Sequence, residues 1–184
     1  LDSAAGDTDK ARQDISAAAQ TVLTAIRELE TAVTDTQGLI GEIGCSWPTT
    51  PNEFKSLRAA ARAQRLTGAP VNIHPGFSPE SPFLAVEELE KAGADLHRVI
   101  IGHTDAKTDL AYLHQIVSAG AYAELDHFGK DLYFVATDFL MDRDMDRVLA
   151  VKDLVDSGFV GRILISQDLC LKTDLVANGG HGYA

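Results

Sequence analysis

The sequence predicts an α/β fold on a parallel sheet, of the (β/α)8-barrel type but incomplete, and three observations predict it. From Gly38 onward, short β-branched runs alternate with longer helical patterns. Successive runs are separated by single helices, and parallel neighbours need a crossover of that length. Five runs in succession are followed by side chains that bind metals or move protons: Glu42, His74, His103, the pair Asp126 and His127, and Asp168.

The elements follow in order. Leu39 to Ile43 is the first apolar run. Thr50-Pro51-Asn52-Glu53 supplies an N-cap, a proline at the first helical position and an acid at the third, so a helix starts there and runs to a stop at Gly68. Val71 to Ile73 is the second run, and the next helix opens at Ser81-Pro82 and ends near Gly93. Val99 to Ile101 precedes a helix from about Asp109 to Ser118, stopped at Gly120. Ala121 to Leu125 precedes a helix over roughly Met145 to Asp156, stopped at Gly158, and Ile163 to Ile165 is the fifth run.

Residues 1 to 37 differ in kind. They hold no aromatic residue, whereas every Phe, Tyr and Trp lies from Trp47 onward. Ile15, Ala19, Val22, Ile26, Leu29 and Val33 recur at spacings of four and three, which predicts an amphipathic helix. The expected organisation is therefore a helical segment over 1–37 and a barrel-type segment over 38–184.

Composition bounds the function. The 184 residues carry a net charge of −11, with 16 Lys and Arg against 27 Asp and Glu, which argues against nucleic acid as a partner. No stretch approaches the roughly 20 apolar residues of a membrane helix. Two cysteines make no disulfide framework, and the expectation is a reduced, cytoplasmic protein. The start at Leu1-Asp2-Ser3 has neither an initiator Met nor a leader pattern, which points to an N-terminus that was processed or left out.

In a parallel sheet all C-terminal strand ends lie on one side, where barrel enzymes build their active sites. A doubly wound sheet would use one or two strands and commonly a glycine-rich loop, and no GxGxxG or P-loop occurs. Any one of the five groups alone would read as a structural histidine, a turn acid or a helix cap. Packing gives no reason for them to share one rim, and together they read as a site. His97 and His114 fall in a loop and a helix and read as structural or solvent-facing. Cys45 and Cys170 lie just past Glu42 and Asp168 and line the same mouth, without an activating base in view.

The motifs Gly41-Glu42-Ile43-Gly44-Cys45-Ser46-Trp47-Pro48, Ile73-His74-Pro75-Gly76, Gly102-His103-Thr104-Asp105, Leu125-Asp126-His127-Phe128-Gly129, Ser166-Gln167-Asp168 and Asn178-Gly179-Gly180-His181-Gly182-Tyr183 resemble the phosphotriesterase-related branch of the amidohydrolase superfamily. The resemblance implies a (β/α)8 TIM barrel with two divalent metals, commonly zinc, and a bridging hydroxide that attacks an amide, ester or phosphoester. It implies that this chain covers about strands 4 to 8. By that resemblance Glu42 is the bridging carboxylate, His74 and His103 bind the more exposed metal, and Asp168 binds the buried metal and acts as base. Asp126, His127, Trp47 and His181 fall to the substrate side, the partner being a small molecule. Members include phosphotriesterases, lactonases and an amidase of N-acetylated taurine.

Two departures matter. The family's relay carboxylate, three residues beyond the strand-6 histidine, is Ala106 here, which favours amide or ester hydrolysis. The strand-1 His-x-His occurs nowhere in the sequence, and 184 residues fall below the ~250 typical of the fold. The expectations are a C-terminal barrel fragment and about one bound divalent ion rather than two. The alternative is a non-catalytic fragment acting by association or single-metal binding, with the N-terminal helix joining a second copy or a complementing chain.

Overall fold

The computed structural model describes residue 20 and residues 38–182 apart from 131, 136, 137 and 181. The amphipathic helix expected within 1–37 lies outside the described residues, except that Gln20 is helical. The chain divides into two units, residues 1–38 and 39–184, and the second is described here.

Five parallel strands build its sheet: β1 (Ile40–Gly44), β2 (Val71–His74), β3 (Val99–Ile101), β4 (Tyr122–Leu125) and β7 (Ile163–Ile165), in the order β1-β2-β3-β4-β7. The helices between them are α1 (Pro51–Thr67), α2 (Ser81–Lys91), α3 (Leu110–Ser118) and α4 (Asp144–Asp156). All five strand runs and the four helices read after Gly38 are present, with ends shifted by one or two residues at most. An antiparallel hairpin, β5 (Tyr133–Phe134) with β6 (Phe139–Leu140), was not anticipated. Two-residue strands are too short to leave a periodicity. The hairpin brings Phe134 and Phe139 within 5.8 and 6.0 Å of Phe77 in the loop after β2, so two strand-end loops share an aromatic contact.

Local chemistry sets the helix ends. Thr50 Oγ1 accepts from the Glu53 amide at 3.4 Å, and Glu53 Oε2 accepts from the Thr50 amide at 2.6 Å, a reciprocal cap with Pro51 in the first turn. Gly68 ends α1 in the left-handed region at φ 73°, where a side chain would be strained. Asp109 caps α3 by accepting from the Tyr112 amide at 3.1 Å.

Strand alternation then separates two faces. Val71, Ile73, Val99, Ile101, Ala123 and Leu125 are fully buried in one core with Leu57, Leu89, Leu113 and Leu154 from the helices. Burying each of those leucines contributes about 1.5–3 kcal/mol. By the two-residue period, Asn72, Ile100 and Glu124 belong to the opposite face. There Asn72 Nδ2 donates to Glu124 Oε2 at 3.1 Å across β3, over Gly102. A Cβ at Gly102 would stand 3.5 Å from both Asn72 Oδ1 and Glu124 Oε2, so the bridge passes over a position without a side chain. The C-terminal ends of the five parallel strands fall on one rim, and with them Glu42, His74, His103, Asp126, His127 and Asp168. Among the described residues no helix is long and apolar enough to cross a membrane.

Candidate metal centre at the strand ends

The first half of the rim joins three adjacent strands. Glu42 Oε1 lies 3.2 Å from His74 Nδ1 and 3.0 Å from His103 Nε2, and those two nitrogens are 2.8 Å apart. Four-coordinate zinc with bonds of about 2.0–2.1 Å sets its ligand atoms about 3.3 Å apart. The three donor atoms thus already have nearly the spacing of one face of such a site, and neutral imidazole with carboxylate suits Zn²⁺ or Mn²⁺. Glu42 and His74 are half-exposed, so the face opens to solvent, while His103 is mostly buried.

His103 is held from behind. Its backbone lies in the left-handed region at φ 56°, which costs an L residue energy and persists only where the surroundings enforce it. The enforcing contact is its own amide, which donates to Asp126 Oδ1 at 3.1 Å, and Asp126 Oδ2 sits 3.0 Å from His103 Nδ1. Burial lowers the imidazole pKa, but the carboxylates of Asp126, Glu42 and Asp168 overcome that and raise it from 6.5 to about 9. A site that draws a proton so strongly is a site with unneutralised negative charge, which is what a cation binds.

The second half of the rim is paired within itself, and all of its members but Asp168 are buried. Asp105 is fully buried and accepts from the amides of Asp126 and His127 at 3.2 and 2.9 Å. Its Oδ1 also lies 2.8 Å from His127 Nδ1, and Arg147 Nε, fully buried on α4, is 3.1 Å from its Oδ2. Burial raises the Asp105 pKa, yet the bonds from His127 and the charge of Arg147 leave it lowered overall. Arg147 further donates to Asp144 at 2.8 Å and to the Lys130 carbonyl at 3.0 Å. Lys130, 5% exposed, places Nζ 2.6 Å from Asp168 Oδ2 and bonds the Asp168 carbonyl as well. Asp168 is itself left-handed at φ 45°.

His103 links the halves, stacking on His127 at 5.0 Å, and ligand atoms of His103, His127 and Asp168 lie within 4.8 Å of one another. The structure thus brings Glu42, His74, His103, Asp126, His127 and Asp168 to one place. Trp47 lies on the loop after β1, 44% exposed, and none of the described contacts joins it to the cluster. His181 lies outside the described residues.

Sequence reasoning gave no role to Asp105, Lys130 or Arg147. Asp105 had a visible signal, two residues past His103 in a strand-end loop, but the carboxylate for His127 was sought at position 106. It comes from Asp105 instead. Lys130 follows the Asp126-His127 pair by three residues and Arg147 falls within a helix with no motif around it, so neither was singled out. The cysteines are poor nucleophiles, since burial and then Glu53 push the Cys45 thiol up to about 11, and burial and then Asp168 raise that of Cys170. His114 pairs with Asp153 at 2.6 Å and His97 accepts from Arg162 at 2.6 Å, both away from the rim cluster.

A sequence model of the phosphotriesterase family matches residues 9–184, reaching back past Gly38. The chain is 43% identical over 150 residues to the N-acetyltaurine hydrolase of Homo sapiens, covering 80% of this chain and 43% of that protein. Among solved structures it is similar to a resiniferatoxin-binding protein from Rhodobacter sphaeroides, with a TM-score of 0.76, 38% identity and coverage of 80% of this chain and 41% of that one. It is also similar to the phosphotriesterase homology protein from Escherichia coli, solved with phosphate in its active site, at a TM-score of 0.69 and 35% identity, covering 79% and 47%. The chain therefore spans less than half the length of these relatives.

Proposed function

The chain belongs to the phosphotriesterase family, and from that premise we propose that its rim is the C-terminal half of a metal-dependent hydrolase site, on what would be strands 4 to 8 of the barrel. The observation that carries this reading is the spacing of Glu42 Oε1, His74 Nδ1 and His103 Nε2, all within 2.8–3.2 Å of one another from three neighbouring strands. Glu42, His74 and His103 would hold one divalent ion, with Asp168 the further carboxylate brought in through its grouping with His103 and His127. When bound, such an ion polarises a substrate oxygen and acidifies water.

The chain's own residues do the rest. Asp168 takes the proton released as water attacks. Asp105 orients His127, which stands beside Asp168 to pass that proton on or to bond the substrate. Asp126 holds His103 in place. Trp47 and His181 belong to the substrate side. An amide or ester of a small molecule suits this arrangement, and the similarity to an N-acetyltaurine hydrolase makes N-acetylated amines the first class to assay.

A second reading has its own observation. The sequence lacks any His-x-His, and the buried half of the rim is already neutralised by Lys130 and Arg147. A chain with this donor set binds one ion and turns substrate over slowly or not at all, acting as a single-metal binding fragment.

Elemental analysis after dialysis against zinc, with hydrolysis of N-acetyltaurine, a lactone and an aryl ester, decides between these readings. One ion per chain, lost in Glu42→Gln, with turnover that requires Asp168, supports the hydrolase. One ion without turnover supports the binding fragment. Retention of the ion in Glu42→Gln removes the metal centre from this rim.

A further inference from the structure

We infer that Lys130 is a positioning residue that locks the Asp168 carboxylate into the orientation the metal centre uses. The inference rests on the metal-centre reading above and deepens it.

Three features of the geometry carry it. First, the Lys130 ammonium grips two acceptors of one residue, the Asp168 carbonyl and its Oδ2. Holding a side chain and its own backbone together with one donor group removes the freedom of the side chain to rotate about χ1. Oδ1 is left as the oxygen outside the Lys130 grip. Second, Asp168 sits at φ 45°, a conformation that L residues leave unless tertiary contacts hold them there. Third, Lys130 is fixed independently. Its amide donates to the His127 carbonyl at 2.9 Å, and its carbonyl accepts from Arg147 at 3.0 Å. A lysine 5% exposed pays a desolvation cost that only close pairing offsets, and its partner is Asp168.

The consequence is mechanical. The ends of β4 and β7 carry the residues that must act together, and Lys130 spans from one to the other. Because the charge of Asp168 is already matched, what Asp168 adds to ion binding is a correctly placed oxygen rather than extra attraction. Removing the lysine frees the charge but releases the oxygen, and the release dominates. Outer partners of metal ligands are worth about 10- to 100-fold in affinity.

The experiment is a Co²⁺ titration of the full chain followed by visible absorbance, with Lys130→Met, Lys130→Arg, Asp168→Asn and the double variant Asp168→Asn/Lys130→Met, each first checked for a cooperative melt without metal. Lys130→Met should bind Co²⁺ about 10-fold more weakly with an altered visible band. Lys130→Arg should restore part of both. In the Asp168→Asn background the methionine should add no further loss, because the lysine acts only through Asp168. Unchanged or tighter binding by Lys130→Met overturns the inference, and so does an equal further loss in the Asp168→Asn background, which marks a general structural role. If Asp168→Asn binds as the parent chain does, the ligand role of Asp168 fails and this inference falls with it, while the Glu42, His74 and His103 site stands or falls on its own variants. Where Lys130→Met does not fold, Lys130→Gln carries the same predictions.

Discussion

The two halves of the rim are built from the same residue types and are in opposite electrostatic states. Glu42, His74 and His103 crowd their donor atoms together in a largely open setting, and among the described residues no lysine or arginine forms an ion pair with them. Asp105 and His127 are buried, Asp168 is partly exposed, and the three are tied to Arg147 and Lys130. Burial accounts for the difference. A carboxylate that leaves water must be matched within the fold, whereas one at the open mouth can wait for a cation from solution. The open half is therefore where an ion enters, and the buried half is the frame that aims it.

The sharpest way to break this comparison is to attack the frame. Arg147→Met takes the guanidinium from buried Asp105 and leaves it only His127 and two backbone amides, and breaking a buried pair costs about 3–5 kcal/mol. Denaturant unfolding should show that loss in full. A cost below about 1 kcal/mol would mean that the buried half is not held by charge pairing.

The next effect is a pH dependence of the metal-free protein. The His103 pKa is raised to about 9 in the folded chain from an ordinary 6.5, so the folded state binds that proton more tightly. Its stabilising contribution is complete below pH 6.5 and is lost as pH rises through about 9. From the size of the shift the loss is about 3 kcal/mol at most. Thermal melts of metal-free protein between pH 6 and 10 should follow it, and Asp126→Asn, which removes the largest influence raising the His103 pKa, should flatten the curve. A flat curve in the parent chain would show that the open half carries no excess negative charge.

Metal affinity separates the halves most directly. Glu42→Gln and His74→Ala should each weaken Zn²⁺ binding by about 100-fold, equivalent to about 2.7 kcal/mol, while metal-free stability moves by no more than about 0.5 kcal/mol. Calorimetric titration with unfolding curves reads both. A large loss of metal-free stability would place these residues in the frame instead.

The smallest effect is local. Thr50→Ala removes the side-chain half of the α1 cap beside the open half, at a cost of about 1 kcal/mol, with no change in metal affinity. A fall in affinity would show that the loop from Glu42 to Glu53 moves as one piece with the site.

Legibility in the sequence divides along the same line. The strand at Val99–Ile101 and the strand at Ile163–Ile165 were read at their observed limits, and Thr50, Pro51, Glu53 and Gly68 mark α1 because a cap is chemistry between near neighbours. The open half was legible too. A parallel sheet puts its strand ends on one side, so Glu42, His74 and His103 could be gathered without knowing any distance.

The frame was not legible. Asp105 meets His127 across 22 residues and Lys130 meets Asp168 across 38, and no local period records such pairs. Ala106 drew attention to the wrong position because a motif offset stood in for a distance. Arg147 has the same sequence look as Arg143, yet only Arg147 is buried. The sequence by itself determined the five parallel strands, the four helices between them and the kind of chemistry at their ends, since propensity, capping and alternation act over a few residues. The tertiary structure alone decided which carboxylates are neutralised and which stay open, because burial and charge pairing depend on residues far apart in the chain and close in space.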